Sequence, residues 1–266
     1  MPENTTHDNT GGKNTTGRNT PGRNSTGKNT PGKRRPLAIC AAVALAATLL
    51  GTVSYTATRP EPRTSVVTEE GDSGQQLDDA TAELVKLARR DADDALAQGR
   101  ADAPVVLIEY ADFKCGYCGK FARDTEPALV KKYVDDGTLR IEWRNFPIFG
   151  AESEAAARAS WAAGQQGRFW QFHAAAYAEG AKEKGFGAAR LDALAREAGV
   201  KDLDRFRADR DGSAAHAAVG KDRDEAYRLG ATSTPSFLVN GQPIAGAQPA
   251  ATFEQAVETA KAQAAR

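Results

Sequence analysis

The chain has 266 residues with 35 basic and 35 acidic side chains, a formal net charge of +0 and a pI near 6.9. The balance hides an asymmetry: seven basic residues against Glu3 and Asp8 precede Pro36, which leaves 28 basic and 33 acidic from there on. A mildly acidic body argues against a nucleic-acid-binding surface, and three cysteines exclude both a multi-disulfide scaffold and a metal cluster built from cysteine alone.

Residues 12–33 repeat in steps of five, Gly-Lys-Asn-Thr-Thr, Gly-Arg-Asn-Thr-Pro, Gly-Arg-Asn-Ser-Thr, Gly-Lys-Asn-Thr-Pro. Nothing there buries apolar area, so the composition predicts a disordered basic tail over 1–36. Gly22 to Asn29 approaches a phosphate-binding loop, but Asn29 stands where the metal-binding Ser or Thr belongs and no strand precedes it. Leu37 to Thr58 is uncharged over 22 residues, and a helix needs about 20 to cross a bilayer. Lys33-Arg34-Arg35 at its start predicts a single-pass membrane anchor over 37–58, with a cytoplasmic N-terminus and an extracytoplasmic remainder. A cleaved signal peptide is the competing reading, with a weak cleavage site after Thr52-Val53-Ser54. Cys40 falls inside the apolar run and reads as a small apolar residue. Residues 59–92 read as a linker with a short helix, its pattern Leu77, Leu84 and Leu87 running from 77 to about 90, either docked or standing as a stalk.

Val105-Val-Leu-Ile-Glu-Tyr110 is an apolar run suited to a buried strand. Cys115-Gly116-Tyr117-Cys118 follows, and then a helical pattern through Phe121, Leu129, Val130 and Tyr133 that closes at Gly137. The pair therefore sits where a strand feeds the first turn of a helix. Residues i and i+3 lie about 5–6 Å apart there, within the span of a disulfide. Cys115, at the helix N-terminus, faces unpaired N–H groups and the positive end of the dipole, which favour the thiolate. Cys118, one turn in, is placed to resolve a mixed disulfide. A structural disulfide and a zinc site with His173 and His216 are the other readings; the first closes too short a loop to stabilise much, and the second matches no common ligand spacing.

Four blocks then align in order: Glu109-Tyr-Ala-Asp-Phe-Lys-Cys-Gly-Tyr-Cys-Gly-Lys-Phe121, Trp143-Arg-Asn-Phe-Pro147, Gln166-Gly-Arg-Phe-Trp-Gln-Phe-His173 and Gly230-Ala-Thr-Ser-Thr-Pro-Ser-Phe-Leu-Val-Asn-Gly241. With them, residues 93–262 resemble the DsbA-like thiol–disulfide oxidoreductases of the thioredoxin superfamily. The resemblance implies an α/β class, a thioredoxin-like fold over 93–266 with a helical insert at about 150–230; the insert agrees with a stretch that shows only helical patterns, such as Leu191, Leu194, Ala195 and Ala198 before Gly199. It implies Cys115 as nucleophile, Cys118 as resolving residue, a redox-active Cys115–Cys118 disulfide, and Gly116, Tyr117, Thr234 and Pro235 as the substrate-facing surface, with Pro235 cis. Glu109 matches an acidic position beneath the active site, where it would move protons to or from Cys118; an ion-paired strand residue is the plain alternative. No cofactor is implied. The implied partners are exported proteins with thiols or disulfides and a quinone-linked membrane redox partner.

Trp161, Phe169, Trp170, Phe172 and Tyr177 read as core of the insert, His173 as a packed, hydrogen-bonded histidine, His216 as surface, and the Asp/Arg pairs of 201–225 as a solvated helix face. The Gly-Tyr dipeptide and Thr234 depart from strong oxidases of the family and occur in isomerase-type relatives, so a disulfide reductase or isomerase stays open beside the oxidase. A non-catalytic thioredoxin-like binding module is the reading from another class.

Overall fold

The computed structural model describes residues 81–266. The repeats, Cys40 and the apolar segment 37–58 lie outside the described residues; among the described residues no helix is long and apolar enough to cross a membrane.

Five strands form one sheet: β1 (Ala97–Gln98), β2 (Val105–Ala111), β3 (Leu139–Asn145), β4 (Ser236–Val239) and β5 (Gln242–Ala245), in the order β1-β3-β2-β4-β5. Only β2 and β3 run parallel, with Val105 opposite Leu139 and Ala111 opposite Asn145. Every residue of β2 is buried, which is why its sequence is apolar nearly without alternation. Its even positions Val106, Ile108 and Tyr110 pack with Phe146, Ala226 and Leu238 on one face. Val105 and Leu107 pack with Phe121, Leu129, Phe237 and Phe253 on the other. Glu109 shares that second face, two residues beyond Leu107.

After β2 come α1 (Gly116–Asp124), α2 (Glu126–Leu129) and a π-helical turn Val130–Val134. The single helix expected here is thus broken. Pro127 has no N–H for the Arg123 carbonyl and its ring crowds that carbonyl, so the ladder is interrupted at Thr125. The expected stop is in place: Gly137 has φ +81° and its N–H bonds the Val134 carbonyl at 3.0 Å.

Between β3 and β4 the chain is helical throughout, as its patterns predicted: α3 (Ala151–Gly164), α4 (Phe169–Tyr177), a 3₁₀ turn Lys182–Lys184, α5 (Ala188–Glu197), α6 (Leu203–Asp211) and α7 (Ser213–Arg228). Phe169, Phe172, Leu191, Leu194 and Phe206 fill the core of this insert around Phe113 and Trp143, with Trp161 and Trp170 half-buried at its edge. A final helix, α8 (Ala250–Ala264), lays Phe253 and Val257 on the sheet.

Two expectations need correction. The helix predicted to reach about residue 90 ends earlier. Residues 81–85 are helical, and the last bonds, to the N–H groups of Lys86, Leu87 and Ala88, are of the i to i+3 kind. The cause is Glu142: its carboxylate accepts the N–H groups of Arg89 at 2.9 Å and Arg90 at 2.8 Å, drawing them off any helical path, and Arg90 takes φ +49°. Leu84, Leu87 and Ala88 pack against the core beside β2, so this segment is docked rather than a stalk. The charged run 201–225 is also not all solvated. Asp222 and Glu225 are buried on α7, facing Arg89 and Arg144.

Candidate active site

The loop from β2 into α1 is held from several sides before the cysteines are reached. The Asp112 carboxylate accepts the N–H groups of Lys114 at 2.8 Å, Ile148 at 2.7 Å and Phe149 at 3.2 Å. Its backbone carbonyl accepts the Tyr177 hydroxyl at 2.9 Å and the Cys115 N–H at 3.0 Å. Tyr177 stacks on Phe113 with ring centroids 5.0 Å apart. The insert therefore fixes the position of the helix start.

Cys115 is the N-cap of α1, with φ −75° and ψ 120°, and its Sγ accepts the Cys118 N–H at 3.4 Å. Both cysteines are free thiols in this structure. Their environments push them apart. The Cys115 pKa falls to about 6: the hydrogen bond from the Cys118 thiol is the largest cause, burial opposes it, and the Thr234 side chain with the N–H groups of Cys118 and Tyr117 adds to the lowering. Cys118, fully buried, is raised well above the ordinary thiol range, first by burial and then by the proton it shares with Cys115 and by the Cys115 charge. Near neutral pH one sulfur is a thiolate and the other a thiol. That division is the one a nucleophile and a resolving residue require.

Thr234 closes the site opposite α1. As a thiol, Cys115 donates to the Thr234 carbonyl at 3.2 Å, and the Thr234–Pro235 bond is cis. Thr234 is 8 % exposed. Tyr117 is 69 % exposed beside the pair. Gly116 is open: a Cβ there would meet nothing closer than the Lys182 ammonium at 3.4 Å. All the substrate-facing residues expected from the sequence thus lie around Cys115.

Glu109 is beneath them. It is 0 % exposed, and neither carboxyl oxygen has a hydrogen-bond partner among the described residues. The ion-paired alternative therefore has no ion pair to rest on. Burial raises its pKa well above the ordinary carboxyl range, and the charges of Glu126 and Cys115 add to the effect. Its influence reaches Cys118, whose thiol form it favours.

Sequence reasoning missed Asp112, Tyr177 and Glu126. Asp112, three residues before Cys115, carried the signal of a turn residue, and Tyr177 lay among the aromatics assigned to the core. Glu126 had no signal, since a charged residue beside Pro127 reads as a helix start on the surface. His173 is buried as expected, yet its Nε2 has no partner among the described residues. Burial lowers its pKa to about 3, so it is neutral and the 3.8 Å approach of Nδ1 to Glu126 is not an ion pair. His216 is exposed on α7, far along the chain from the cysteines and not among the residues of the site.

With this geometry in view, the likeness to other proteins is informative. A thioredoxin family model matches residues 91–259. A probable disulfide bond formation protein D of Bacillus cereus is 32% identical over 148 residues, 54% of this chain and 68% of the relative. A Na(+)/H(+) antiporter NhaA of Salinispora tropica is 35% identical over 179 residues, 65% of this chain but 26% of the antiporter; the chain spans about a quarter of the length of such relatives. Among solved structures, a thioredoxin-like oxidoreductase from Silicibacter pomeroyi is 28% identical with a TM-score of 0.56, covering 64% of this chain and 97% of that one. BdbD from Bacillus subtilis, 24% identical with a TM-score of 0.59 over 63% and 92% of the two chains, shares the fold.

Proposed function

Because this chain belongs to the thioredoxin family and, within it, to the DsbA-like thiol–disulfide oxidoreductases, we propose that it forms disulfides in exported proteins by exchange at Cys115-Gly-Tyr-Cys118. The opposed pKa shifts of the two cysteines carry this reading. A substrate thiolate attacks Cys115 Sγ of the oxidised pair, breaking the internal disulfide, and the electron pair leaves on Cys118, which takes up a proton. A second substrate thiolate then attacks the substrate sulfur of the mixed disulfide. The substrate disulfide forms, and Cys115 departs as a thiolate. Two electrons and two substrate protons have moved to the pair and its surroundings.

One feature favours that direction. A Cys115 pKa near 6 stabilises the reduced pair, and stabilising the reduced form makes the disulfide a stronger oxidant. The substrate is then an extended segment laid against Thr234, whose neighbour Pro235 offers no N–H. Reoxidation of the pair is assigned to a quinone-linked membrane partner. The catalytic part is placed outside the cytoplasm, held by the apolar segment 37–58.

Cys115→Ser is expected to abolish exchange, and Cys118→Ser to accumulate mixed disulfides. Turnover by the Cys115→Ser protein at the wild-type rate would refute the assignment. The direction of electron flow is read from the equilibrium reduction potential in glutathione buffers. A value of about −120 to −180 mV supports the oxidase, and one of about −230 to −270 mV makes the chain a reductase or isomerase at the same site.

A further inference from the structure

The buried acid beneath the cysteines is enclosed. Glu109 is 0 % exposed and bonds to nothing among the described residues, so a proton that it exchanges with Cys118 needs a second group to reach water. A second buried acid acts on it electrostatically. Glu126, the first residue of α2, is also buried, and its charge acts directly on Glu109. Gln98 of β1 donates to Glu126 Oε1 at 3.0 Å, which orients the carboxyl, and His173 Nδ1 lies 3.8 Å from Oε2. Glu126 also lines a cleft of about 410 Å³ with His173, Trp170 and Tyr177 of α4, Arg123 of α1, and Lys131 and Asp135 beyond α2. That cleft contains neither cysteine and neither Thr234 nor Pro235.

Building on the oxidoreductase reading above, we propose that Glu126 is the proton outlet of Glu109, linking the cysteine pair to this cleft and so to solvent by a route that a bound substrate leaves open. The charges around Glu126 suit the task. Among the described residues no cation compensates it: His173 is held neutral by burial, and no salt bridge joins Arg123 or Lys131 to Glu126. Burial accordingly raises the Glu126 pKa to about 8, against the lowering by Gln98, so that it gives up and regains a proton near physiological pH. The two carboxyls are close enough that ionising one holds the proton on the other. When Cys118 leaves as a thiolate, Glu109 gives it a proton and is refilled from Glu126. When Cys118 resolves a mixed disulfide, its proton passes to Glu109 and out through Glu126. Glu126 touches no sulfur; it acts through Glu109.

The test uses the reduced full-length chain in detergent and oxidised glutathione, with rapid quenching to separate two steps. In the first, the Cys115 thiolate attacks glutathione disulfide and releases one glutathione thiolate. In the second, Cys118 attacks Cys115 Sγ, losing its proton and expelling the second glutathione. Glu126→Gln keeps the size and the Gln98 contact but passes no proton. It should leave the first step within about twofold and slow the plateau of the second roughly tenfold or more, inside the range of general acid–base catalysis. Its pH midpoint should move down, because the Glu126 charge no longer holds the Glu109 proton. Glu126→Ala should be slow in the same step, and formate or acetate, small enough for the cleft, should restore it in proportion to concentration. A second step in Glu126→Gln with wild-type plateau and midpoint would overturn the proposal, as would a slow Glu126→Ala that neither acid restores. Failure of the wild-type chain to complete the first step would instead refute the oxidoreductase reading.

Discussion

Two groups of buried acids lie on either side of the same strands, and they are treated in opposite ways. Midway along β3, Glu142 accepts the Arg89 and Arg90 N–H groups and meets Arg140 at 2.9 Å and Arg144 at 2.8 Å. Arg144 also reaches Glu225 at 3.2 Å, Arg89 reaches Asp222 at 2.5 Å, and the Tyr110 hydroxyl donates to Glu225 at 2.8 Å. Under the cysteines, Glu109 has no partner among the described residues, and Glu126 has one amide. The consequence appears in the protons. Burial pushes the Glu142 pKa up, but its donors more than offset that and hold it at about 2. Burial pushes Glu126 to about 8 with little to oppose it. Asp222 marks the limit of compensation, since burial raises it despite Arg89. A charge saturated with donors is fixed and structural, whereas one left alone is ready to trade its proton.

Breaking the compensated group should have the largest effect. Arg144→Met leaves Glu142 and Glu225 short of a cation in the interior and should destabilise the fold by about 3–5 kcal/mol in urea unfolding. A change below 1 kcal/mol would mean that the cluster is not a closed ionic network.

The two groups should also divide the pH dependence of stability. Glu142, depressed from an ordinary 4.5 to about 2 in the fold, contributes stability that is full above pH 4.5 and lost as pH falls through 2, on the order of 3 kcal/mol. Glu126, raised from 4.5 to about 8, acts with the opposite sign. Its protonated form suits the fold, so stability is greatest below pH 4.5 and declines as pH rises towards 8, by a few kcal/mol at most. Glu126→Gln should flatten the curve between pH 4.5 and 8 and leave the acid limb unchanged. Flattening of the acid limb would contradict the separation.

A smaller effect, with the reverse sign of the Arg144 change, is expected inside the site. Glu109→Leu replaces an unpartnered buried carboxyl by an apolar group of similar size and should raise stability by about 1–3 kcal/mol while slowing the Cys118 step. A destabilised Glu109→Leu protein would show that the carboxyl is bonded after all. The least effect belongs to the exposed pair Lys120 and Asp124 on α1, separated by 2.5 Å. Lys120→Gln should change stability by less than about 0.5 kcal/mol, giving the scale against which the buried groups are read.

Much of the catalytic surface was legible because it is local. Cys115 and Cys118 share one helical turn, and strand, turn and helix follow each other in sequence, so spacing alone predicted which sulfur faces the N-terminus. The run from Val105 to Tyr110 and the helical stretch from 151 to 228 were legible for the same reason: periodicity reports the burial of a segment's own faces. Glu126 and Asp112 were not, because each depends on partners from elsewhere. Asp112 is defined by the N–H groups of residues 148 and 149, and Glu126 by Gln98 and His173.

The charged segments show the same boundary most clearly. Asp204 and Arg205 are exposed and Asp222 and Glu225 are buried, yet all belong to one acidic and basic run. By itself the sequence determined the helix that carries the cysteines and the order of their roles, since these follow from backbone geometry within a few residues, whereas the class of the fold came from a resemblance spread over four blocks from Glu109 to Gly241. Only the tertiary structure decided which carboxyls are buried, which of those find cations, and therefore which hold a proton at neutral pH. A pKa is set by the desolvation and the donors that neighbours from distant parts of the chain supply.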